Sequence, residues 1–261
     1  MVYMEKFRLD GKTAVLTGAS RGLGRVMALA MAEAGADVII TGRTEESLAK
    51  TAKDIRAHGG RKVDTVALDM SEPEACQAGF EHIRDTFGPV DILVNNVGNR
   101  LNADSIVDQS LTSWQKTIDT NLTSCFLGSK ILGSAMIERG TGGRIISISS
   151  MNAFVSNRGI GDRAYETSKA AVLQFTKAAA ADWAPHGVTV NAICPGLFMT
   201  DANREWNRTR PEVIEKLVSG IPMGRAGEPD EIGALAVFLA SDASSYMTGA
   251  GVVFDGGYTL W

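Results

Sequence analysis

Residues 149–169, SSMNAFVSNRGIGDRAYETSK, hold two adjacent serines, a tyrosine and a lysine. Tyr165 and Lys169 are four positions apart, so on a helix they share one face. An ammonium beside a phenol favours phenolate and lowers the tyrosine pKa. That brings a group whose ordinary pKa is ~10 into range for acid–base work near neutrality. A serine hydroxyl at the start of the stretch can hydrogen-bond a carbonyl oxygen while the tyrosine delivers a proton. Adjacent strand residues point to opposite faces, so Ser149 and Ser150 cannot serve equally. A bare YxxxK spacing also describes a helix with an exposed Tyr and Lys, so these residues need a scaffold to give them meaning.

A second stretch supplies the cofactor side. TGASRGLG, 17–24, places Gly18, Gly22 and Gly24 at the close of an apolar run and the opening of a helical pattern. Glycines let the backbone turn sharply and approach a pyrophosphate. The following helix N-terminus offers free N–H groups and a positive dipole end. A glycine-rich turn without a ligand is the alternative; position after the first strand of a long βαβ series favours the dinucleotide reading. Choice of dinucleotide falls to the end of the second strand, where an acid would hold the ribose 2′-OH of NAD. Gly42 stands there, followed by Arg43, and Arg21 lies in the glycine turn. Two guanidinium groups suit a 2′-phosphate, so NADP(H) is expected over NAD(H). Glu45 and Glu46 are expected to begin the next helix.

These residues are carried by alternating short and long patterns. Apolar runs at 13–18, 36–42, 63–69, 90–98, 143–150, 188–196 and 249–257 read as strands buried on both faces. Helical patterns at 25–35, 47–60 and 163–185 lie between them, the last ending before Pro185. The rhythm predicts an α/β, Rossmann-like doubly wound sheet, mostly parallel and seven-stranded, with helices on both faces. One domain over 1–261 is expected, with a substrate lid at about 197–224, since ligands bind beyond the carboxyl ends of such strands.

The totals are those of an ordinary globular chain: 261 residues, 44% apolar, 21% charged and a net charge of −4. Neither a nucleic-acid nor a membrane partner is expected. Cys76, Cys125 and Cys194 lie far apart without CxxC spacing, and His58, His82 and His186 are equally scattered. A reduced, cytoplasmic protein without a metal is the expectation. The N-terminus lacks the basic and apolar regions of a signal peptide, and no apolar run reaches transmembrane length.

TGASRGLG (17–24), NNVG (95–98), Asn121 in TIDTNLTSCF, SISS (147–150), YETSK (165–169) and NAICPG (191–196) resemble the short-chain dehydrogenase/reductase family across nearly the whole chain. NNVG departs from the family's more usual NNAG by one small substitution. The resemblance implies a catalytic tetrad of Asn121, Ser150, Tyr165 and Lys169. Tyr165 would be the general acid/base and Ser150 would polarise the carbonyl. Lys169 would lower the tyrosine pKa and bind the nicotinamide ribose; Asn121 would hold a water linking Lys169 to solvent. It implies a cofactor held by Gly18, Ser20, Arg21, Gly22, Leu23, Gly24 and Arg43. Asp69 and Met70, Asn96, Val97 and Gly98, Tyr165 and Lys169, and Pro195, Gly196, Phe198 and Thr200 complete that set. Thr17 is expected to brace NNVG. Ser150 and Tyr165 stand fifteen apart against the family's usual thirteen, which points to two extra residues in 156–162.

The segment 221–257 looks like one shared by bacterial polyol, sugar-acid and 3-oxoacyl-thioester members, in which it contributes to tetramer packing. A homotetramer is expected. Candidate substrate residues are Ser150, Asn152, Arg158, Tyr165, Asn203 and Trp206, with Asn99, Arg100, Met151 and Arg204 nearby. Their polarity suits a hydroxylated or anionic small molecule. The leading expectation is an NADP(H)-dependent carbonyl reductase or alcohol dehydrogenase acting on a polyol, sugar acid or related ketone. Reduction of a 3-oxoacyl thioester (on acyl-carrier protein or CoA) is the alternative. A non-catalytic dinucleotide sensor is a third, which the intact tetrad argues against.

Overall fold

Each apolar run becomes a strand of one sheet in the computed structural model, which describes residues 3–59, 62–100, 105–157 and 162–260. The strands are β1 (Thr13–Leu16), β2 (Asp37–Gly42), β3 (Val63–Ala67), β4 (Ile92–Asn95), β5 (Gly143–Ile148), β6 (Val188–Pro195) and β7 (Gly251–Phe254). All neighbours are parallel, in the order β3-β2-β1-β4-β5-β6-β7. The helices are α1 (Gly22–Glu33), α2 (Glu45–Gly59), α3 (Pro73–Thr86), α4 (Leu111–Ile118), α5 (Ser124–Arg139), α6 (Arg163–Trp183), α7 (Asp201–Thr209), α8 (Pro211–Val218) and α9 (Glu231–Ala240). This is the expected doubly wound, seven-stranded architecture.

Strand periodicity sends apolar side chains into a core on each face of the sheet. In β1, Ala14 and Leu16 enter one core with Met27 and Met31 of α1, while Val15 enters the other with Phe80 of α3. The same alternation splits Val38 and Ile40 from Ile39 in β2, and Ile146 and Ile148 from Ile145 in β5. Fully burying such a side chain contributes roughly 1.5–3 kcal/mol, so a one-residue slip would be costly on both faces at once.

The chain winds from β1 outward to β3, then returns to β4 beside β1 and winds the other way. Loops leaving β1 and β4 therefore diverge and open a crevice at their carboxyl ends. Residues 197–224 carry α7 and α8 beyond the end of β6. No residue of α7 is buried, and only Ile214 of α8 is. Among the described residues, no helix is long and apolar enough to cross a membrane.

Candidate active site

The glycine turn is held by its neighbour across the crevice. The Thr17 hydroxyl oxygen accepts from the backbone N–H groups of Asn96 (2.9 Å) and Val97 (3.2 Å). In return, the Asn96 side-chain amide donates to the carbonyls of Thr17 (2.9 Å) and Gly18 (3.2 Å). Thr17 thus braces NNVG, as the sequence implied, and Asn96 spends its amide on the turn. Gly18 has φ +64°, in the left-handed region that favours glycine. At Gly24 a Cβ would lie 2.5 Å from both the Gly18 carbonyl and the Asn96 amide, so α1 can approach this closely only as glycine. Arg21 caps α1 with no side-chain hydrogen bond, which leaves the helix's first N–H groups directed at the crevice.

Above this turn lies a cavity of ≈ 970 Å³. Gly18, Ser20, Arg21, Gly22, Leu23 and Gly24 line its floor; Arg43, Asp69, Met70, Asn96, Val97 and Gly98 form one end. A Cβ on Gly42 would stand 3.0 Å from Leu48, so an acid has little room where NAD-binding chains would carry one. Glu45 starts α2 and its carboxylate accepts from Thr65 Oγ1 and Ala67 N, which removes it from the cavity. Arg21 and Arg43 are exposed at the cavity edge and form no ion pair with any described residue. Asp69 accepts from the backbone and hydroxyl of Ser71, which hold its carboxyl below the usual range, with Arg43 adding a smaller pull. A glycine cradle with two unpaired guanidiniums fits the phosphates of a dinucleotide.

The far end of the same cavity holds the second constellation. Asp162 caps α6 by accepting from Tyr165 N (3.0 Å), which fixes the tyrosine in the first turn. One turn on, Lys169 donates to the Ile148 carbonyl (2.7 Å) at the end of β5, and its Nζ lies 5.7 Å from the Tyr165 ring centroid. The two serines separate as their opposite faces require. Ser149 gives its hydroxyl to the Lys169 carbonyl (2.7 Å) and ties β5 to α6. Both serines line the cavity, but the Ser150 oxygen instead caps the short turn Met151–Ala153 by accepting from Asn152 N. The Arg100 guanidinium carbon stacks 4.7 Å from the Tyr165 ring centroid.

Asn121 enters by a route no sequence pattern announces. Between α4 and α5 the helix widens into a π turn, Asp119–Thr123. Such turns recur at functional sites because the extra residue pushes one side chain outward. Asn121 accepts from Asn99 N (2.7 Å) and donates to Asn99 O (3.0 Å) and Ser168 Oγ (2.9 Å). It is buried behind the cavity wall, clamping the loop after β4 onto α6.

Pro195 at the end of β6 and Gly196 and Thr200 beyond it line the cavity, and Asn152, Asn203 and Trp206 line it at the end that holds Tyr165. Phe198 corrects the expectation: its ring is buried against Phe254 (centroids 5.7 Å apart), away from the cavity, because an apolar side chain there finds the gap above Gly227. Arg158 lies outside the described residues. Sequence reasoning missed Lys116 and Asn157 in the lining. Lys116 shares a helical face with Thr120, a signal that was available. Asn157 had none beyond its place in the longer loop. Among the described residues, no group of three or more His, Cys, Asp or Glu could hold a metal ion.

A glycine cradle and a Tyr–Lys–Ser cluster at opposite ends of one crevice define a dinucleotide-dependent oxidoreductase. A family model described as Enoyl-(Acyl carrier protein) reductase matches residues 18–259. The chain is 39% identical over 261 residues to galactitol 2-dehydrogenase (L-tagatose-forming) of Cereibacter sphaeroides, covering 100% of both. The structure of a short-chain type dehydrogenase/reductase from Mycobacterium marinum is 38% identical with TM-score 0.92, over 99% of this chain and 100% of that one. A 3-oxoacyl (acyl-carrier-protein) reductase from Agrobacterium tumefaciens C58 with NADP bound is 34% identical with TM-score 0.91, over 99% of this chain and 98% of that one. The chain belongs to the short-chain dehydrogenase/reductase family.

Proposed function

We propose that this oxidoreductase uses NADP(H) and interconverts a carbonyl and an alcohol on a small polar substrate, a polyol, sugar acid or related ketone. The carrying observation is that a single cavity joins the glycine turn to Ser150, Tyr165 and Lys169. The dinucleotide would supply or take up the hydride. In the reducing direction Tyr165 delivers a proton to the substrate oxygen, while Ser150 donates a hydrogen bond to the same oxygen. Lys169, its Nζ 5.7 Å from the phenol ring centroid and donating to the Ile148 carbonyl, stands beside the tyrosine to bind the nicotinamide ribose. Asn121 fixes the Asn99 backbone and Ser168, and so the spacing of the loop and helix that carry this chemistry.

Arg21 and Arg43 are the residues for a 2′-phosphate. The NADP bound in the Agrobacterium relative supports that preference. Arg100 beside the phenol favours a substrate with a carboxylate or several hydroxyls, in line with the galactitol activity named for the Cereibacter relative. The oxoacyl activity named for the Agrobacterium relative keeps thioester reduction as the second reading. A panel of polyols, sugar acids, keto acids and 3-oxoacyl thioesters, followed by NADPH absorbance, separates the two. Turnover of thioesters alone would overturn the first.

The segment 197–224 acts as a lid, with Asn203 and Trp206 closing on substrate. A homotetramer is supported by Phe126 on α5, 43% exposed and edge-on to Phe175 of α6, and by Val253 exposed on edge strand β7. Light scattering that gave a monomer would reject it. Three free, buried thiols suit a reducing, cytoplasmic setting.

A further inference from the structure

We infer that the C-terminal turn is part of the active site, and that Tyr258 is a positioning residue acting on Ser150 through Asn157 and Asn152. This rests on the proposed role of Ser150. Tyr258 stands 101 positions from Asn157 in the chain, yet its hydroxyl donates to Asn157 Oδ1 (3.1 Å). Asn157 Nδ2 then donates to Asn152 Oδ1 (3.5 Å), which also accepts from the Ser150 hydroxyl (3.3 Å). Ser150, Asn152 and Asn157 are each no more than 6% exposed, so these groups have little access to water as a substitute partner.

A side-chain amide is nearly symmetric in shape, and its partners decide which end is oxygen. The Tyr258 hydroxyl turns the Asn157 oxygen towards itself and the nitrogen towards Asn152. That nitrogen in turn holds the Asn152 oxygen inward, with Asn152 Nδ2 donating to the Val155 carbonyl (3.3 Å). Ser150 accepts from Asn152 N (3.1 Å) and keeps its own proton for donation. To polarise a substrate carbonyl, that proton must swing from Asn152 Oδ1 to the substrate. The swing leaves Asn152 Oδ1 still covered by Asn157 Nδ2, so no buried acceptor is abandoned.

The turn is itself built to hold its place. Asp255 accepts from Gly257 N (2.8 Å) through one oxygen and Thr259 N (2.9 Å) through the other. Asn157 is anchored separately by its backbone N–H to Glu166 Oε1 (3.1 Å), so losing the Tyr258 hydroxyl frees the amide without freeing the loop. A rotated Asn157 would set oxygen against the Asn152 oxygen, and the Asn152 amide would rotate in response. Its nitrogen would then face Ser150 and compete with the substrate for the serine oxygen's geometry.

Tyr258→Phe removes only the hydroxyl. With the panel substrate of highest turnover, kcat should fall about five- to tenfold, the worth of one hydrogen bond, with KM for NADPH unchanged. In a Ser150→Ala background the same substitution should change kcat less than about twofold, because its route is already cut. Equal losses in both backgrounds would overturn the inference and leave Tyr258 a packing residue. Wild-type turnover by Ser150→Ala would instead overturn the proposed function. Urea unfolding of Tyr258→Phe, Asn157→Ala and the double variant needs no substrate. Their midpoint shifts should be non-additive, and additive shifts would break the chain at its first bond.

Discussion

The two ends of the crevice are made differently. The cofactor end is made of backbone: glycines at 18, 22 and 24, a helix terminus, and a turn clasped by Thr17 and Asn96. A Cβ at Gly18 or Gly24 would collide with its neighbours, and Gly22 is held at φ +58°, where a side chain is strained. The substrate end is made of side chains on loops and exposed helices: Arg100 laid over a phenol, asparagines bonded to one another, and α7 with no buried residue. Packing specifies the first end and polar pairing the second. The first should therefore answer to volume, the second to single hydrogen bonds and charges.

The largest contrast is expected between the two serines. Ser150→Ala should cost turnover about a hundredfold or more, as for the loss of a donor to a developing oxyanion. Ser149→Ala should lower melting temperature with a far smaller loss of kcat, because its hydroxyl bonds the Lys169 carbonyl. A reversed order would put the catalytic hydroxyl on the other face of β5.

At the cofactor end, Gly24→Ala forces a methyl group onto the Gly18 carbonyl and the Asn96 amide. Overpacking of this kind costs roughly 1–3 kcal/mol, and calorimetry should show it together with lost NADPH binding. Unchanged stability would mean that the turn is looser than its geometry. Arg43→Ala should touch only recognition. Losing a charge-assisted bond worth about 1.5–3 kcal/mol should weaken NADPH by one to two orders of magnitude, with NADH titration unaffected. Equal losses for both cofactors would remove Arg43 from the 2′-phosphate.

A pH dependence lies outside both ends. Burial pushes the Cys76 thiol up to about 12 and the Cys194 thiol up to about 11. In the unfolded chain they would ionise near the ordinary ~8.5. Between those limits the unfolded state binds fewer protons, so stability should fall as pH rises above about 9. Denaturation midpoints measured from pH 7 to pH 11 test this. A Cys76→Ala, Cys194→Ala double variant should show a shallower decline.

The same division decided what was legible beforehand. Strand runs announced themselves because both faces are apolar, and Tyr165 and Lys169 because helical spacing fixes their relation. The apolar run 90–98 outlasts its strand, which stops at Asn95, since Asn96 leaves the ladder to bind the glycine turn. The helix read from residue 25 begins at Gly22, because the turn itself becomes its first residues. The π turn at Asn121 has no spacing signature, and Phe198 carried a motif position whose side chain packs elsewhere. Tyr258 and Asn157 meet only through the tertiary fold, so no local pattern could pair them.

The claim that Tyr165 is the acid/base of an NADPH-dependent reaction stands behind every other. Tyr165→Phe removes one oxygen and leaves the ring beneath Arg100 and beside Lys169. Against the best panel substrate, kcat should drop by about two to four orders of magnitude while NADPH still binds with near wild-type affinity. Turnover close to wild type would contradict the account.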